Sequence, residues 1–181
     1  MRRVTPDIGA QLQKIYDLEK KLDGCTVNVD DNAKRINGCL LGKKDVRFAD
    51  KDTGDCIAIV MMHDKQRHWF HLHHPVHSSP CFRYDAAGHV HMNPHSISRT
   101  LAKRTVPSPH FHKFTKDGLE YAYRTAVIDK EEAALNDPSF AFHAFCSEGK
   151  VSADDGNPAL AFKPTLFPED ADDPLEGHRF S

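Results

Sequence analysis

The sequence predicts an α+β fold with a mainly antiparallel sheet. Short strand-like segments follow one another from residue 26 to residue 127, with turn-forming Asp, Gly and Pro residues between them. Helical spacing of apolar residues occurs before this run and after it, without the strand–helix alternation of a parallel sheet. The length of 181 residues suits one domain. We expect that domain over 1–150, followed by an irregular, Pro-rich acidic tail over 151–181, wrapped on the body or disordered.

The first element is a predicted N-terminal amphipathic helix over 6–23. Thr5 can cap it, Pro6 suits its first turn, and Gly24 suits its end. One side of this helix is expected to pack on a core. Its apolar residues recur at near-helical spacing, at Ile8, Leu12, Ile15, Leu18 and Leu22.

A series of strands is predicted to follow. The segment Cys56–Met62 is apolar on both faces, which predicts a central strand. Turn residues separate it from a strand over 66–73, and a second turn over 85–88 predicts a hairpin of the strands 81–85 and 89–92. The remaining predicted strands cover 26–29, 35–41, 46–49, 81–85, 89–92, 110–114 and 119–127.

Two further helices are predicted from Asx–Pro pairs. Asn93-Pro94 predicts a short helix that continues to about Arg104. Asp137-Pro138 predicts a helix in the C-terminal half that continues to about Cys146, with Gly149 beyond its end. Phenylalanines give this last helix an aromatic inner side.

Composition and charge restrict the function classes. The sequence has no apolar run of the roughly 18 residues that a membrane span needs, and its N-terminus does not resemble a secretory signal. Five widely spaced cysteines without a Cys-x-x-Cys pair indicate reduced thiols in a cytoplasmic protein. Residues 63–116 carry eight basic and two acidic side chains, whereas 151–181 carry seven acidic and two basic ones. A basic middle segment of this kind attracts phosphates.

Histidine is the unusual component of the sequence. Eleven of its 13 histidines fall between His63 and His112. Six of them form three His-x-His pairs, each with an apolar residue in the middle. The pairs are His71/His73 around Leu72, His89/His91 around Val90 and His110/His112 around Phe111.

Alternation along a strand places both histidines of each pair on one face, with the apolar middle residue facing the core. The same alternation puts Arg83 and Asp85 on one face of their strand. If these strands are neighbours, up to six histidines, one arginine and one aspartate share a solvent-facing surface. A register shift of one residue would scatter them.

Such a surface suits two kinds of chemistry. Paired imidazoles can act as general base and acid on a phosphodiester while a cation stabilises the developing charge. Imidazoles also bind transition metals such as zinc, with Asp85 or Glu120 as a carboxylate ligand. No cofactor follows with certainty from the sequence.

The predicted catalytic residues are His110, His112, His89, His91, Arg83 and Asp85. The predicted metal ligands are His71 and His73, shared with the other pairs, and the predicted nucleic-acid contacts are Arg99, Lys103, Arg104 and Lys113.

Part of this region resembles the TumE-type toxins of bacterial toxin–antitoxin pairs. The resemblance covers residues of about 82–115 and is carried by Arg83-Tyr84-Asp85, then Gly88-His89-Val90-His91, then Pro109-His110-Phe111-His112. It implies a toxin-like, RNA-directed activity in which Arg83, Asp85, His110 and His112 are the functional counterparts. The length, the N-terminal helix and the acidic tail depart from that family.

Three hypotheses of function remain after the sequence is read. The first is a cytoplasmic, nuclease-like protein of toxin or anti-defence type that acts on RNA through the histidine cluster. The second is a non-catalytic, phage- or prophage-type inhibitor whose basic face binds nucleic acid or protein. The third is a transition-metal-binding protein. The partners expected are nucleic acid, RNA above all, and a protein such as an antitoxin or a host nucleoprotein. No membrane partner is expected, and the oligomeric state is left open.

Overall fold

A large, mainly antiparallel sheet forms the centre of the protein, which confirms the predicted α+β class. The computed structural model describes residues 2–30, 40–48, 54–97, 100–132 and 136–162. Within them lie three helices, α1 (Pro6–Asp17), α2 (Ala126–Lys130) and α3 (Pro138–Glu148). The strands are β1 (Lys20–Leu22), β2 (Thr26–Asp30), β3 (Leu40–Phe48), β4 (Cys56–Met62), β5 (His68–His73), β6 (Phe82–Asp85), β7 (His91–Met92), β8 (Thr105–Val106), β9 (His110–Phe114), β10 (Glu120–Tyr123), β11 (Val151–Ala153) and β12 (Ala159–Phe162). No helix in these ranges is long and apolar enough to cross a membrane.

The strands of the main sheet lie in the order β10-β9-β6-β5-β4-β3-β1-β11. Strand β2 also pairs with β3, and β12 pairs with β2. The β1–β11 and β2–β12 pairs are parallel, and the other pairs in this sheet are antiparallel. The predicted central strand is β4, which lies between β3 and β5.

One face of the sheet packs against α1 and α3 to form the core. Phe70 of β5 makes an edge contact with Phe142 of α3, at 5.3 Å between ring centroids. Phe82 of β6 stacks on Phe145 at 5.0 Å and contacts Tyr16 of α1 at 5.2 Å. Because neighbouring residues of a strand point to opposite faces, the residues next to Phe70 and Phe82 face away from this core.

The N-terminal helix ends earlier than predicted. Helix α1 stops at Asp17, and Leu18 is extended (φ −73°, ψ 146°). The segment predicted as its last turn is β1, in which Lys20 and Leu22 are buried on either side of an exposed Lys21. The Lys20 ammonium donates hydrogen bonds to the backbone carbonyls of Tyr16 and Leu18. The buried lysine therefore satisfies carbonyls at the end of α1, which helical spacing alone does not reveal.

The predicted hairpin of 81–85 with 89–92 is wrong. Strand β6 lies between β5 and β9, and β7 pairs with β8 instead. No helix forms in the described part of 94–104 either. Asn93 holds this segment in a loop, because its amide donates to the carbonyls of Lys103 and Ala122 and accepts from the Ala122 N–H. Residues 98 and 99 lie outside the described residues.

Three other boundaries also change. The predicted strands 35–41 and 46–49 contribute to one strand, β3, and 31–39 lie outside the described residues. The predicted strand 119–127 ends at Tyr123, because Thr125 caps α2. Residues 151–162, predicted as irregular tail, instead include β11 and β12, which are paired in the main sheet. The rest of that segment, 163–181, lies outside the described residues.

Candidate functional site

Three adjacent strands bring part of the predicted residue set together. The register pairs His71 of β5 with Arg83 of β6, and Arg83 with His112 of β9. One row further along, Trp69 pairs with Asp85, and Asp85 pairs with His110. These two rows lie on the sheet face opposite the α1–α3 core, because Phe70 and Phe82 point to the core. The adjacency on which the predicted cluster depends therefore holds for β5, β6 and β9.

The pair His89/His91 reaches the cluster in a different way. His91 begins β7, outside the main sheet, and its ring makes edge contacts with the rings of His112 at 4.8 Å and His110 at 5.9 Å. His89 precedes β7 and is exposed. His73 lies on the site face of β5 but pairs with Ile57, beyond the His71 row. The six predicted histidines therefore do not form one continuous surface.

The cluster is buried, whereas the sequence predicts a solvent-facing surface. His110 and His112 are each 2% exposed, and Glu120 of β10 is also 2% exposed. The His91 ring covers part of the cluster, and the backbone N–H of Arg2 donates to Glu120 Oε2 at 3.1 Å. Segments outside the three strands therefore cover the part of this face around β9, and strand alternation gives no sign of them. The side chains of Arg83 and Asp85 remain 17% and 18% exposed.

Arg83 is the charged centre of the site. Its Nη2 lies 3.1 Å from His112 Nε2 and 3.3 Å from His112 Nδ1. Its Nη1 lies 3.4 Å from Glu120 Oε1. Its Nε lies 3.3 Å from Asp85 Oδ2 but forms no hydrogen bond there. One guanidinium therefore contacts an imidazole and two carboxylates in a mostly buried environment, where charge interactions are stronger than in water.

Each buried imidazole has its own orienting groups. His112 Nε2 lies 3.2 Å from Asp85 Oδ2, and His112 Nδ1 lies 3.8 Å from Glu120 Oε1. His110 Nδ1 lies 3.2 Å from the Pro107 carbonyl oxygen, which can only accept, so this nitrogen carries the proton in the neutral ring. The lone pair of His110 is then on Nε2, which lies 3.9 Å from Asp85 Oδ2.

His91, His110 and His112 lie close enough to bind one metal ion. One ring nitrogen from each can be chosen so that all three lie within 4.8 Å of one another. His91 Nε2 is buried without a hydrogen-bond partner. The hydrogen bond from His110 to a backbone carbonyl is the kind of outer contact that orients metal-binding histidines. Modest inward movement of the rings would reach the roughly 2.0–2.1 Å zinc–nitrogen distances of protein sites.

Burial keeps three imidazoles of this site, those of His71, His91 and His110, neutral at pH 7 by lowering their pKa values. It lowers the pKa of His110 to about 4, and the neighbouring His112 lowers it further, against the effect of Asp85. Burial also lowers the pKa of His71 to about 4 and lowers the pKa of His91. Burial opposes ionisation of Asp85, but the hydrogen bond with His112 and the charge of Arg83 hold its pKa below the usual value. The site therefore holds unprotonated imidazole nitrogens beside an ionised carboxylate.

His68, on the core face of β5, allows a test of this electrostatic description. Burial lowers its pKa from 6.5 to about 4, and its Nε2 has no hydrogen-bond partner. The unfolded chain therefore binds the proton more tightly than the folded protein does. The free energy of unfolding has its full value above pH 6.5 and falls as the pH is lowered towards 4. The loss at pH 4 is about 3 kcal/mol for this residue alone.

We expect His68→Phe to remove that part of the pH dependence. Phenylalanine keeps the ring contacts that His68 makes with Phe70 and Tyr84. Urea unfolding at pH 7.5 and pH 4 measures the effect. The free energy of unfolding should fall less in the variant than in the wild type, and equal falls would contradict the assigned pKa.

The predicted nucleic-acid contacts are placed unevenly. Lys103 is exposed and Arg104 donates to the Asn93 carbonyl, both in the loop before β8 rather than on a helix. Arg99 lies outside the described residues. Lys113 does not face the cluster, because it points to the other side of β9, with its ammonium 4.3 Å from the ring centroid of Tyr16 and 4.8 Å from that of Tyr123.

Two residues at the site were not included in the predicted catalytic set. Glu120 was considered from the sequence only as a carboxylate for a metal, yet it contacts Arg83 and approaches His112. Arg2 reaches the site through its backbone. Glu120 could have been found from the sequence. It follows β9 after a short turn, and the alternation of side chains in the paired strand places it on the same face as His112. The contact of Arg2 spans 118 residues of sequence and has no local signal.

Comparisons of this chain with protein-family models, curated proteins and solved structures find no match. The resemblance of residues 82–115 to TumE-type toxins therefore stays a prediction.

Proposed function

We propose that this protein is a nuclease-like enzyme of toxin or anti-defence type that cleaves RNA at the His91/His110/His112 cluster. The observation that carries the proposal is the contact of the Arg83 guanidinium with His112, between the half-buried carboxylate of Asp85 and the buried carboxylate of Glu120. A phosphodiester needs a proton acceptor, a proton donor and a cation near the phosphate oxygens as it reacts. All three kinds of group lie on one face of β6 and β9.

The residues divide into three roles. His110 is buried and neutral, with a lone pair on Nε2, and suits a general base. His112 is oriented by Asp85 and Glu120 and suits the transfer of a proton to the leaving oxygen, as carboxylate-held imidazoles do elsewhere. Arg83 stabilises the negative charge on the phosphate oxygens.

RNA suits this set because it carries its own nucleophile. A base that removes the proton of the 2′-hydroxyl lets that oxygen attack the adjacent phosphorus. The bond from phosphorus to the 5′-oxygen then breaks, and the leaving oxygen takes up a proton from the acid. The products are a cyclic phosphate and a 5′-hydroxyl, so no water molecule has to be positioned in the first step.

Binding of a transition metal such as zinc is the second candidate function of the same cluster. The unpartnered His91 Nε2 favours it, because buried polar atoms without a partner are rare and often mark an ion. His91, His110 and His112 would be the ligands, and Asp85 is the nearest carboxylate of the cluster. Bound zinc would polarise a phosphate oxygen or supply hydroxide, which is compatible with RNA cleavage.

The thiols support the proposed cytoplasmic location. Cys25, Cys56, Cys81 and Cys146, the described cysteines, are all free. Reduced thiols persist in compartments such as the cytoplasm. A toxin acting there on RNA would need a protein inhibitor, and an antitoxin is the partner that we propose on that ground.

Metal dependence separates the two candidate functions in one cleavage experiment. Untagged protein is incubated with end-labelled single-stranded RNA as purified, with excess EDTA, and with EDTA followed by excess zinc. Cleavage that EDTA does not affect supports acid–base chemistry by the histidines. Cleavage lost in EDTA and restored by zinc supports the metal-bound form. RNA that remains intact in all three samples contradicts the nuclease proposal. In that case, stoichiometric zinc in the protein as purified would favour the second candidate.

A further inference from the structure

We propose that the indole ring of Trp69 is a stacking platform for a nucleobase of single-stranded RNA, next to the histidine cluster. The inference rests on the proposed function, because it names the part of the substrate that this face would hold. Stacking on aromatic side chains is the general way in which proteins hold unpaired bases, and sheet faces provide such platforms.

The position of Trp69 is fixed by the strand register. Trp69 of β5 pairs with Asp85 of β6, which pairs in turn with His110 of β9. Adjacent strands are about 4.8 Å apart, so the Trp69 and His110 backbones are about 10 Å apart across the sheet. A base bound at Trp69 therefore lies beside the groups that would act on its phosphate.

The Trp69 ring is available for such a contact. It is half-buried, on the sheet face opposite the α1–α3 core. Among the described residues, no other ring stacks on the Trp69 ring, and its indole N–H has no hydrogen-bond partner. This N–H is not one of the buried polar atoms that lack a partner, so it is accessible at the surface. The aromatic residues Phe70 and Tyr84, on the neighbouring positions of these strands, instead stack on each other in the core.

The surroundings of Trp69 suit a flat, partly apolar ligand joined to phosphates. Met61 of β4 is its cross-strand neighbour, and Ile59 is the neighbour of His71, both half-buried. Lys43 of β3 continues the His71 row at its exposed end. Arg2, anchored through its backbone to Glu120, is close enough for its charge to affect His71. Lys43 and Arg2 thus provide positive charge along the His71 row, one row from the single tryptophan of the chain.

The single tryptophan also provides the test. Wild-type protein is titrated with a 2′-O-methyl oligoribonucleotide, which lacks the hydroxyl nucleophile, and Trp69 fluorescence is recorded. We expect saturable quenching by the single-stranded oligonucleotide and none by inorganic phosphate or by a duplex of the same sequence. Absence of quenching by the single strand, or equal quenching by the duplex, would overturn the inference.

Variants then separate stacking from a general effect on the fold. Trp69→Leu should weaken binding of a labelled oligonucleotide, measured by anisotropy, by about 5- to 100-fold, and Trp69→Phe should recover most of it. The matched control is Phe140→Leu, an aromatic substitution on α3, which packs against the other sheet face. Unchanged affinity in Trp69→Leu, or the same loss in Phe140→Leu, would contradict a stacking role.

The inference and the proposed function can fail separately. Oligonucleotide binding that depends on Trp69, without cleavage of unmodified RNA, keeps the stacking site and rejects the nuclease. Cleavage of RNA with an unchanged KM in Trp69→Leu keeps the nuclease and rejects the stacking site. If RNA does not bind and a protein partner alone quenches Trp69, the face is a protein-docking surface and the inference is rejected.

Discussion

Replacing His112 with alanine is expected to lower kcat for RNA cleavage about a thousandfold, or about 4 kcal/mol of barrier. His112 is the imidazole that contacts Arg83 and lies between Asp85 and Glu120. Its loss removes a proton-transfer group or a metal ligand and leaves Asp85 without the closer of its two imidazole contacts. Single-turnover cleavage of end-labelled RNA measures the effect on the chemical step.

The matched control for His112 is His143→Ala. His143 is exposed on α3, which packs against the opposite sheet face, so its removal should change cleavage less than twofold. Circular dichroism and urea unfolding of both variants show whether the fold is retained. Full activity in a folded His112→Ala protein would mean that the cluster does not carry out the reaction.

Replacing Arg83 with lysine should lower kcat about 100- to 1,000-fold, with a smaller effect on KM. Lysine keeps the positive charge between the carboxylates of Asp85 and Glu120 but presents one ammonium instead of a planar fork. It cannot contact His112, Asp85 and Glu120 at the same time as the guanidinium does. The loss of charge stabilisation would therefore appear in the reaction rather than in substrate binding.

Arg83→Ala is the harsher variant and tests a different consequence. It leaves the buried Glu120 and the half-buried Asp85 without the guanidinium, and a buried charge that loses its partner typically costs about 3–5 kcal/mol of stability. We expect this variant to unfold at lower urea concentration, whereas Arg83→Lys stays close to the wild type. A folded Arg83→Lys protein with wild-type kcat would remove the charge-stabilising role from Arg83.

The strand part of the site could be predicted because the His71/His73 and His110/His112 pairs each have a core residue in the middle, whereas Val90, between His89 and His91, is 54% exposed and does not face the core as expected. Phe111 and Leu72 are buried, and this fixes the face on which their flanking histidines lie. The same alternation would have placed Lys113 with Phe111 on the core side, where the structure has it. The prediction of Lys113 as a nucleic-acid contact came from counting charged residues along the sequence, which ignores the direction of side chains.

The remaining differences depend on contacts distant in sequence. His91 joins the cluster because β7 pairs with β8, and the short β8 has no pattern of its own. The burial of His110 depends on segments that cover the sheet face. Strand β11 was predicted as tail from the Pro-rich, acidic composition of 151–181, and its partner β1 was predicted as the end of a helix. Neither local pattern reveals the parallel pairing of these two segments.

The most direct test of the proposed function is cleavage of single-stranded RNA by untagged wild-type protein and by the His110→Ala/His112→Ala variant, side by side. Both proteins are first shown to be folded, and the 3′ ends of the products are analysed. The proposal predicts cleavage by the wild type and at least a thousandfold slower cleavage by the variant, because both buried imidazoles are removed. Equal cleavage by the two folded proteins, or none by the wild type with and without added zinc, would contradict it.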